Sequence, residues 1–432
     1  MKEDKKEKET STKKKEVIDK KENSVEIKEV IVEKKSGFNY AEVIVIMIIS
    51  LIIGGIVGSF LNSMSKGTKT VTKIVNNSDV PEGFDEFLET YDNIINNYYK
   101  DVDSKELIEA GINGMLEYLG DDYSVYMNQE TTENFNEQVN GEYQGIGVEI
   151  AWQENGGVKV NKVFDNSPAA KAGLKIGDVF VSINDEDVSK SNALEVANLI
   201  KKSNSDTVKI VINRDNKDLE FKLKLERVDI ESVETKIYNA NNKKIGYIRL
   251  SIFASNSYEQ FSKKLKELEK ENIDNLIIDV RSNSGGYLSS VTDIASMFLG
   301  KNKVIYQLDT KGVVEQVFSK TKESRNYKVV VLIDAASASA SEILAAAMQE
   351  SYGATVIGTN SYGKGTVQAA YQLKSGSTVK YTIQKWLTPN GNWINEVGVT
   401  PDIKVELTEE YAKNPSDETD SQLKKALEEL SK

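Results

Sequence analysis

The chain has 432 residues, a formal net charge of −12, and neither Cys nor His. Lacking His, it cannot build Ser-His-Asp or Cys-His devices; lacking Cys, it has no thiol nucleophile, disulfide, Fe–S cluster or thiolate zinc site. A catalyst working near neutral pH must then take its base from Lys, a carboxylate or an N-terminal amine.

The acidic balance, with no basic stripe, argues against nonspecific nucleic-acid binding. Residues 1–36 carry twelve Lys against ten Asp and Glu, with no Pro, Gly or aromatic residue. Such a composition cannot bury a core and predicts a disordered tail over 1–40. Ala41 to Leu61 then forms an apolar run whose only charge is Glu42. Roughly 20 apolar residues cross a bilayer, so 41–61 predicts a transmembrane helix. A buried core helix and a cleaved signal peptide are the alternatives. The first rarely stays apolar all round, and the second lacks a long charged leader. Lys34 and Lys35 precede the run and Lys66, Lys69 and Lys73 follow it, so charge alone leaves its orientation open. A linker, 62–80, follows.

Residues 81–137 read as a helical arm. Phe84, Phe87, Leu88, Tyr91, Ile94, Ile95 and Tyr98 recur at helical spacing, and Ser104 to Leu119 repeats the period behind Ser104 as a candidate N-cap. An ordinary packed helical pair reads the same way. Residues 138–228 read as short strands with one helix, NALEVANLIKK. Over 229–410 strands alternate with helices, which implies a largely parallel α/β core. A charged amphipathic helix closes the chain within 411–432.

Two constellations carry chemistry. Gly145-Ile146-Gly147-Val148 leads into a strand, where free backbone N–H groups suit a carboxylate and the strand edge suits an extended peptide. Downstream, Ser167-Pro168 predicts a helix start, Gly173 its stop, and Gly177-Asp178 a turn into a strand. These residues resemble the PDZ domains of exported proteases, which bind free C-termini or apolar tails; a closed groove is the alternative.

The second constellation joins three segments: Asp279 to Gly286, Ser337 to Glu342, and Gly363 to Gln368. Ser337-Ala338-Ser339-Ala340-Ser341 lies where a strand turns into a helix, beside unpaired N–H groups and the positive end of the helix dipole. Ser339-x-x-Glu342 also has capping-box spacing, so this segment alone favours a cap over a nucleophile. Lys364, between two glycines, is the natural base for a serine if burial makes its amine neutral; a solvated turn lysine is the alternative. Gln368 could hold that amine through its amide oxygen. Gly358-x-x-x-x-Gly363-Lys364 matches most of a phosphate-binding loop, but Gly365 replaces the Ser or Thr and a strand follows. Ser377 and Lys380 form a further Ser-x-x-Lys pair, on a stretch that reads as a strand rather than the helix such a pair needs.

Together with Leu387-Thr388-Pro389-x-Gly391 and Gly398-Val399-Thr400-Pro401-Asp402, these segments resemble the carboxy-terminal processing peptidases, or tail-specific proteases. The resemblance runs from the helical arm to Asp402. It implies an α/β fold: a ClpP/crotonase-like protease core with an inserted β-rich α+β PDZ domain, the helical arm and a single transmembrane helix. It makes Ser339 the nucleophile, Lys364 the general base and Gln368 its support. Gly286 and Ala340 become backbone oxyanion donors, and Gly145, Ile146, Gly147 and Val148 the PDZ peptide contacts. It implies no metal or cofactor, protein or peptide substrates with free C-termini, and a single-pass protein with a cytoplasmic N-terminus and an extracytoplasmic catalytic part. It also allows a homodimer through the terminal helices. A catalytically silent, membrane-tethered PDZ scaffold is the alternative, and the Ser339–Lys364–Gln368 set argues against it.

Overall fold

The computed structural model describes residues 81, 83–153, 156–203, 205–322 and 324–432. The expected tail 1–40, transmembrane helix 41–61 and linker 62–80 lie outside the described residues. Among the described residues, no helix is long and apolar enough to cross a membrane.

The helix Phe84–Asn97 belongs to a separate unit. It is strongly amphipathic, yet none of its residues is buried and Phe84, Phe87 and Leu88 stay exposed.

The second unit begins at Tyr98. Its first helix is Ser104–Glu117, but Ser104 is not the cap: Asp103 takes that place and accepts from the N–H groups of Lys105 and Glu106 at 2.8 and 2.9 Å. A carboxylate serves the orphan donors and the helix dipole together, which a hydroxyl does not. The helical reading of 81–137 is then interrupted. Val125–Met127 forms a strand, antiparallel to Thr378–Lys380, before the helix Gln129–Asn140 begins behind its Asn128 cap.

Strands Glu142–Gly145 and Glu226–Asp229 pair antiparallel, so the chain enters and leaves the β-rich module side by side. Within it five strands pair antiparallel in the order Val148–Trp152, Val158–Val163, Val179–Ile183, Thr207–Arg214 and Lys217–Lys224, with Glu186–Asp187 beside the third. The helix Pro168–Ala172 starts at Ser167 and stops at Gly173, as the turn chemistry predicts. It packs with the helix Ala193–Lys201 on a core built around Val158, Val160, Phe180, Val196, Ile210 and Ile212.

The larger part is a six-stranded sheet ordered Val233–Ala240, Lys243–Leu250, Asn275–Asp279, Val329–Ile333, Thr355–Gly358, Ile403–Lys404. Only the first strand runs antiparallel to its neighbour. Alternate residues face opposite layers. Ile248, Leu250, Ile278, Val331 and Ile333 join the core under helices Ser257–Lys270, Leu288–Ser296 and Ala340–Ala347. Ile245, Tyr247, Ile277, Val330 and Leu332 meet Leu423, Ala426 and Leu430 of the last helix, Ser421–Leu430. Burial on both faces explains why these strands are unbroken apolar runs in sequence. A further antiparallel sheet, absent from the sequence reading as a unit, joins Val125–Met127, Thr378–Leu387, Val304–Thr310 and Val313–Phe318, with Thr366–Gln372 also on Thr378–Leu387.

The last helix is tied to the sheet by a buried ionic network. Arg281 meets Asp279 at 2.6 Å and Asp420 at 2.8 Å, and donates to Gln422 Oε1 at 3.0 Å. Tyr247 donates to Asp279 at 2.7 Å. Removing one partner of a buried pair strands the remaining charge, at about 3 kcal/mol. Asp420→Ala is therefore expected to lower the unfolding free energy of the full chain by about that amount. A urea titration checks it, and an unchanged midpoint would show that the network does not hold the helix.

Candidate active site

Of the three serines in Ser337 to Ser341, the outer two are buried and already committed. Ser337 donates to Val280 O and Ser341 to Asn283 O, each at 2.8 Å. They bind the serine turn to the loop after strand Asn275–Asp279. Asp334 adds to this by accepting from the N–H groups of Ser282, Ala336 and Ser337. Ser339, between them, is only half-buried and lines a cavity of about 630 Å³. Its φ of 54° and ψ of −112° are conformations usually left to glycine, a strain of about 1–3 kcal/mol that tends to mark functional positions. Its hydroxyl makes no cap hydrogen bond. The capping-box spacing is used in the other direction: Glu342 reaches back to the Ser339 N–H at 2.7 Å.

The glycine loop is pressed against this turn. Asn283 donates to Leu250 O, accepts from Gly285 N–H through its side chain and from Ala338 N–H through its carbonyl. A Cβ on Gly285 would stand 2.9 Å from both Ala338 O and Ser339 Cβ, at a φ of 108°. Gly286 bridges to Phe253, where a Cβ would lie 2.2 Å from the Phe253 carbonyl oxygen. Gly286 lines the cavity and Ala340 opens the helix beside it.

The lysine loop follows strand Thr355–Gly358, and what comes next, Thr366–Gln372, is a strand; the helix of a phosphate-binding loop is missing. Both flanking glycines are needed for close approach. A Cβ on Gly363 would come within 3.0 Å of three backbone nitrogens, and one on Gly365 would meet Trp393 Nε1 at 2.6 Å. Two indoles fix the loop: Trp386 donates to Lys364 O at 2.7 Å and Trp393 to Gly365 O at 2.9 Å. Glu342 joins this loop to the serine turn. Fully buried, it accepts from Ser361 Oγ and Gly363 N–H, both at 2.6 Å, and from Lys364 N–H at 2.9 Å. The sequence marks Glu342 only as a capping partner; nothing in the spacing signals its hold on a loop some twenty residues away.

Ser339, Lys364, Gln368 and Gly286 all line the one cavity. Burial holds the Lys364 amine below the ordinary lysine range, with the Lys380 charge adding to the effect and Asp121 and Glu342 opposing it. Its Nζ stands 4.4 Å from the centre of the Tyr123 ring, a residue the sequence reading did not single out. Gln368 Nε2 donates to Thr366 Oγ1 and Thr382 Oγ1, each at 3.0 Å. Ser377 lies just before strand Thr378–Leu387, which carries Lys380, and accepts from Tyr126 OH at 2.8 Å, so the pair is not on a helix.

A second groove, about 370 Å³, lies between strand Val148–Trp152 and helix Ala193–Lys201. Gly145, Ile146 and Val148 line it with Leu194, Ala197 and Ile200. Gly147 lies outside that lining because it backs onto Ser167, whose Cβ would stand 2.1 Å from a Cβ there. The helix Gln129–Asn140 closes one side, with Glu137 paired to Lys201 at 2.9 Å. The same helix sends Phe135 and Val139 to the serine cavity.

A strained serine at a helix start, a glycine loop against it and a desolvated lysine in one cavity, beside a PDZ module, define a serine peptidase that carries a peptide-binding domain. Residues 244–405 match the model of peptidase family S41, 144–225 that of the PDZ domain, and 56–131 that of the activating protease CtpB N-terminal domain. The chain is 38% identical over 341 residues to the carboxy-terminal processing protease CtpB of Bacillus subtilis, covering 78% of this chain and 71% of that protein. It is 33% identical over 367 residues to CtpA of the same organism, covering 84% and 78%. A solved Bacteroides fragilis structure assigned to the S41 proteases shares the fold at a TM-score of 0.50 and 13% identity, over 86% of this chain and 97% of that one. The chain belongs to the S41 carboxy-terminal processing serine proteases.

Gly285→Ala is expected to push the glycine loop off the serine turn. Losing one donor of an oxyanion site costs about 10²–10³ in kcat. A loss of that order with an unchanged circular dichroism spectrum is the expected outcome; parent-level turnover would show that close packing at Gly285 is dispensable.

Proposed function

We propose that this protein is a membrane-anchored endopeptidase that takes proteins by their C-terminal or apolar tails and cuts them with Ser339 and Lys364. The observation that carries the reading is that Ser339, Lys364 and Gly286, supplied by three separate loops, line a single cavity. Lys364 accepts the Ser339 hydroxyl proton as Oγ adds to a peptide carbonyl. The resulting oxyanion lies between the Gly286 and Ala340 N–H groups, each such donor worth roughly 3–4 kcal/mol in the transition state. The lysine returns the proton to the leaving amine, and water then releases the acyl group. Lys364 must turn from the Tyr123 face toward Ser339, a side-chain movement of the kind apo sites commonly need. Gln368, its amide nitrogen held by two threonines, keeps its oxygen for the turned amine.

The groove by Gly145, Ile146 and Val148 receives the tail, and the helix Gln129–Asn140, which lines both groove and cavity, couples tail binding to access. The parallel sheet with helices on both faces supports a ClpP/crotonase-like core. The apolar run 41–61 anchors the chain, with the N-terminal tail cytoplasmic and the peptidase outside. The exposed apolar face of Phe84–Asn97 is suited to a homodimer contact.

Ser339→Ala and Lys364→Ala are each expected to reduce cleavage of an unstructured, apolar-tailed protein by at least about 10³-fold. Parent rates in either variant would overturn the dyad. The working form of Lys364 is the neutral amine, whose fraction grows as pH rises. Because its affinity for protons is lowered, the rising limb of kcat/KM is expected below the ordinary 10.5. For the anchor, the full chain should stay with carbonate-washed membranes while a chain beginning at residue 81 is released; release of both would remove the anchor.

A further inference from the structure

Among the motifs of the sequence, Lys380 is left without a role by the proposed chemistry. It lies on strand Thr378–Leu387, opposite Ala370 in the antiparallel pair with Thr366–Gln372. Gln368 is opposite Thr382 on the same ladder, and Gln368, Ala370 and Lys380 all line the cavity that holds Ser339 and Lys364. The catalytic cavity therefore contains two lysines, both half-buried. Each ammonium rests on an aromatic ring: Lys364 at 4.4 Å from the Tyr123 centroid, Lys380 at 5.4 Å from that of Phe135. Among the described residues, neither has a carboxylate within 4.0 Å.

We propose that Lys380 is a positioning residue for the reaction: its unpaired ammonium, held in the same cavity, repels a proton from Lys364 and keeps that amine in its basic, neutral form. The inference rests on the Ser339–Lys364 dyad and adds to it the source of the base's neutrality. Two cations sharing a poorly solvated space cannot both stay charged cheaply, and a neighbouring cation is an established way of freeing a lysine amine.

Two carboxylates face the pair and act in the opposite sense. Asp121, before strand Val125–Met127, attracts protons to both lysines, and hydrogen bonds from Ser124 Oγ at 2.5 Å and Tyr123 N–H at 3.4 Å help keep it ionised; its pull on Lys364 is smaller than the Lys380 repulsion. Glu342, at the start of helix Ala340–Ala347, acts on Lys364 in the same sense and more weakly still. The Tyr123 phenol, pushed up to about 12 by burial and its bond with Tyr362, adds no charge. Burial lowers both lysines and the repulsion between them is mutual; Lys364, the more deeply buried of the two, yields its proton first.

The test reads the proton on Lys364 directly, so it does not depend on turnover. Short pulses of acetic anhydride, which acylates only neutral amines, are applied to the detergent-purified full chain from pH 6 to pH 11. Labelling of Lys364 is followed by peptide mass spectrometry in the parent, Lys380→Met, Lys380→Gln and Lys380→Arg. Either neutral variant is expected to raise the labelling midpoint by about one pH unit, a roughly tenfold loss of neutral amine on the rising limb. Lys380→Arg, which keeps the charge, is expected to hold the parent midpoint. An unmoved midpoint in a folded neutral variant, or an equal shift in Lys380→Arg, overturns the proposal, the second by showing that packing matters and charge does not. Full cleavage in Lys364→Ala would instead defeat the underlying dyad, so the two failures are distinct.

Discussion

One buried carboxylate holds the catalytic geometry together. Glu342 has no solvent exposure and accepts from four donors, one on the serine turn and three on or beside the lysine loop. A buried carboxylate without donors would be far too costly, so the two loops are bound to come to it and therefore to each other. The strained backbone of Ser339 persists for the same reason, since its N–H is held at 2.7 Å by a group that cannot move. The helix contributes its first turn, its dipole and, at its third position, the residue that fixes the partner loop.

The remaining supports follow the same logic of backbone satisfaction. Ser337, Ser341, Asp334 and Asn283 use their side chains to join the serine turn to the glycine loop, and Trp386 and Trp393 use their indole N–H groups on the lysine loop. Glycine is required where loops touch: a side chain at Gly285 or Gly365 would occupy space already held by the neighbouring loop. The side chains of the proposed Ser339–Lys364 dyad are thereby left as the less constrained groups of a rigid surround. Ser339 makes no cap bond, and the Lys364 amine rests on an aromatic face from which it can turn.

Chemistry without His also constrains the electrostatics. A lysine works as a base only where its charged form is disfavoured, so the cavity wall must be poor in accessible carboxylate. Asp121 and Glu342 both favour the charged form of Lys364, while burial, the largest influence, and the Lys380 charge disfavour it. The PDZ module connects to this centre by a paired stem and by the helix Gln129–Asn140, whose Glu137 meets Lys201 at the groove while Phe135 and Val139 face the serine cavity.

Much of this was legible in the linear pattern because local physics repeats it. Apolar runs gave the central strands, Ser167-Pro168 and Gly173 gave a helix with its ends, and the absence of His narrowed the base to a lysine, a carboxylate or an N-terminal amine. The strand after Gly365 could be told from the helix of a phosphate-binding loop by its residues alone. Where a choice depended on competition between near neighbours, the sequence pointed one residue away, as at Asp103 in place of Ser104. Only the tertiary structure decided the rest. It brought Glu342 to the lysine loop, Tyr123 to the amine, Lys380 to the same cavity, two tryptophans to the backbone and Gly147 onto Ser167 instead of the groove. These contacts join segments separated by tens to hundreds of residues, and no periodicity or propensity records which distant side chain a buried donor will meet.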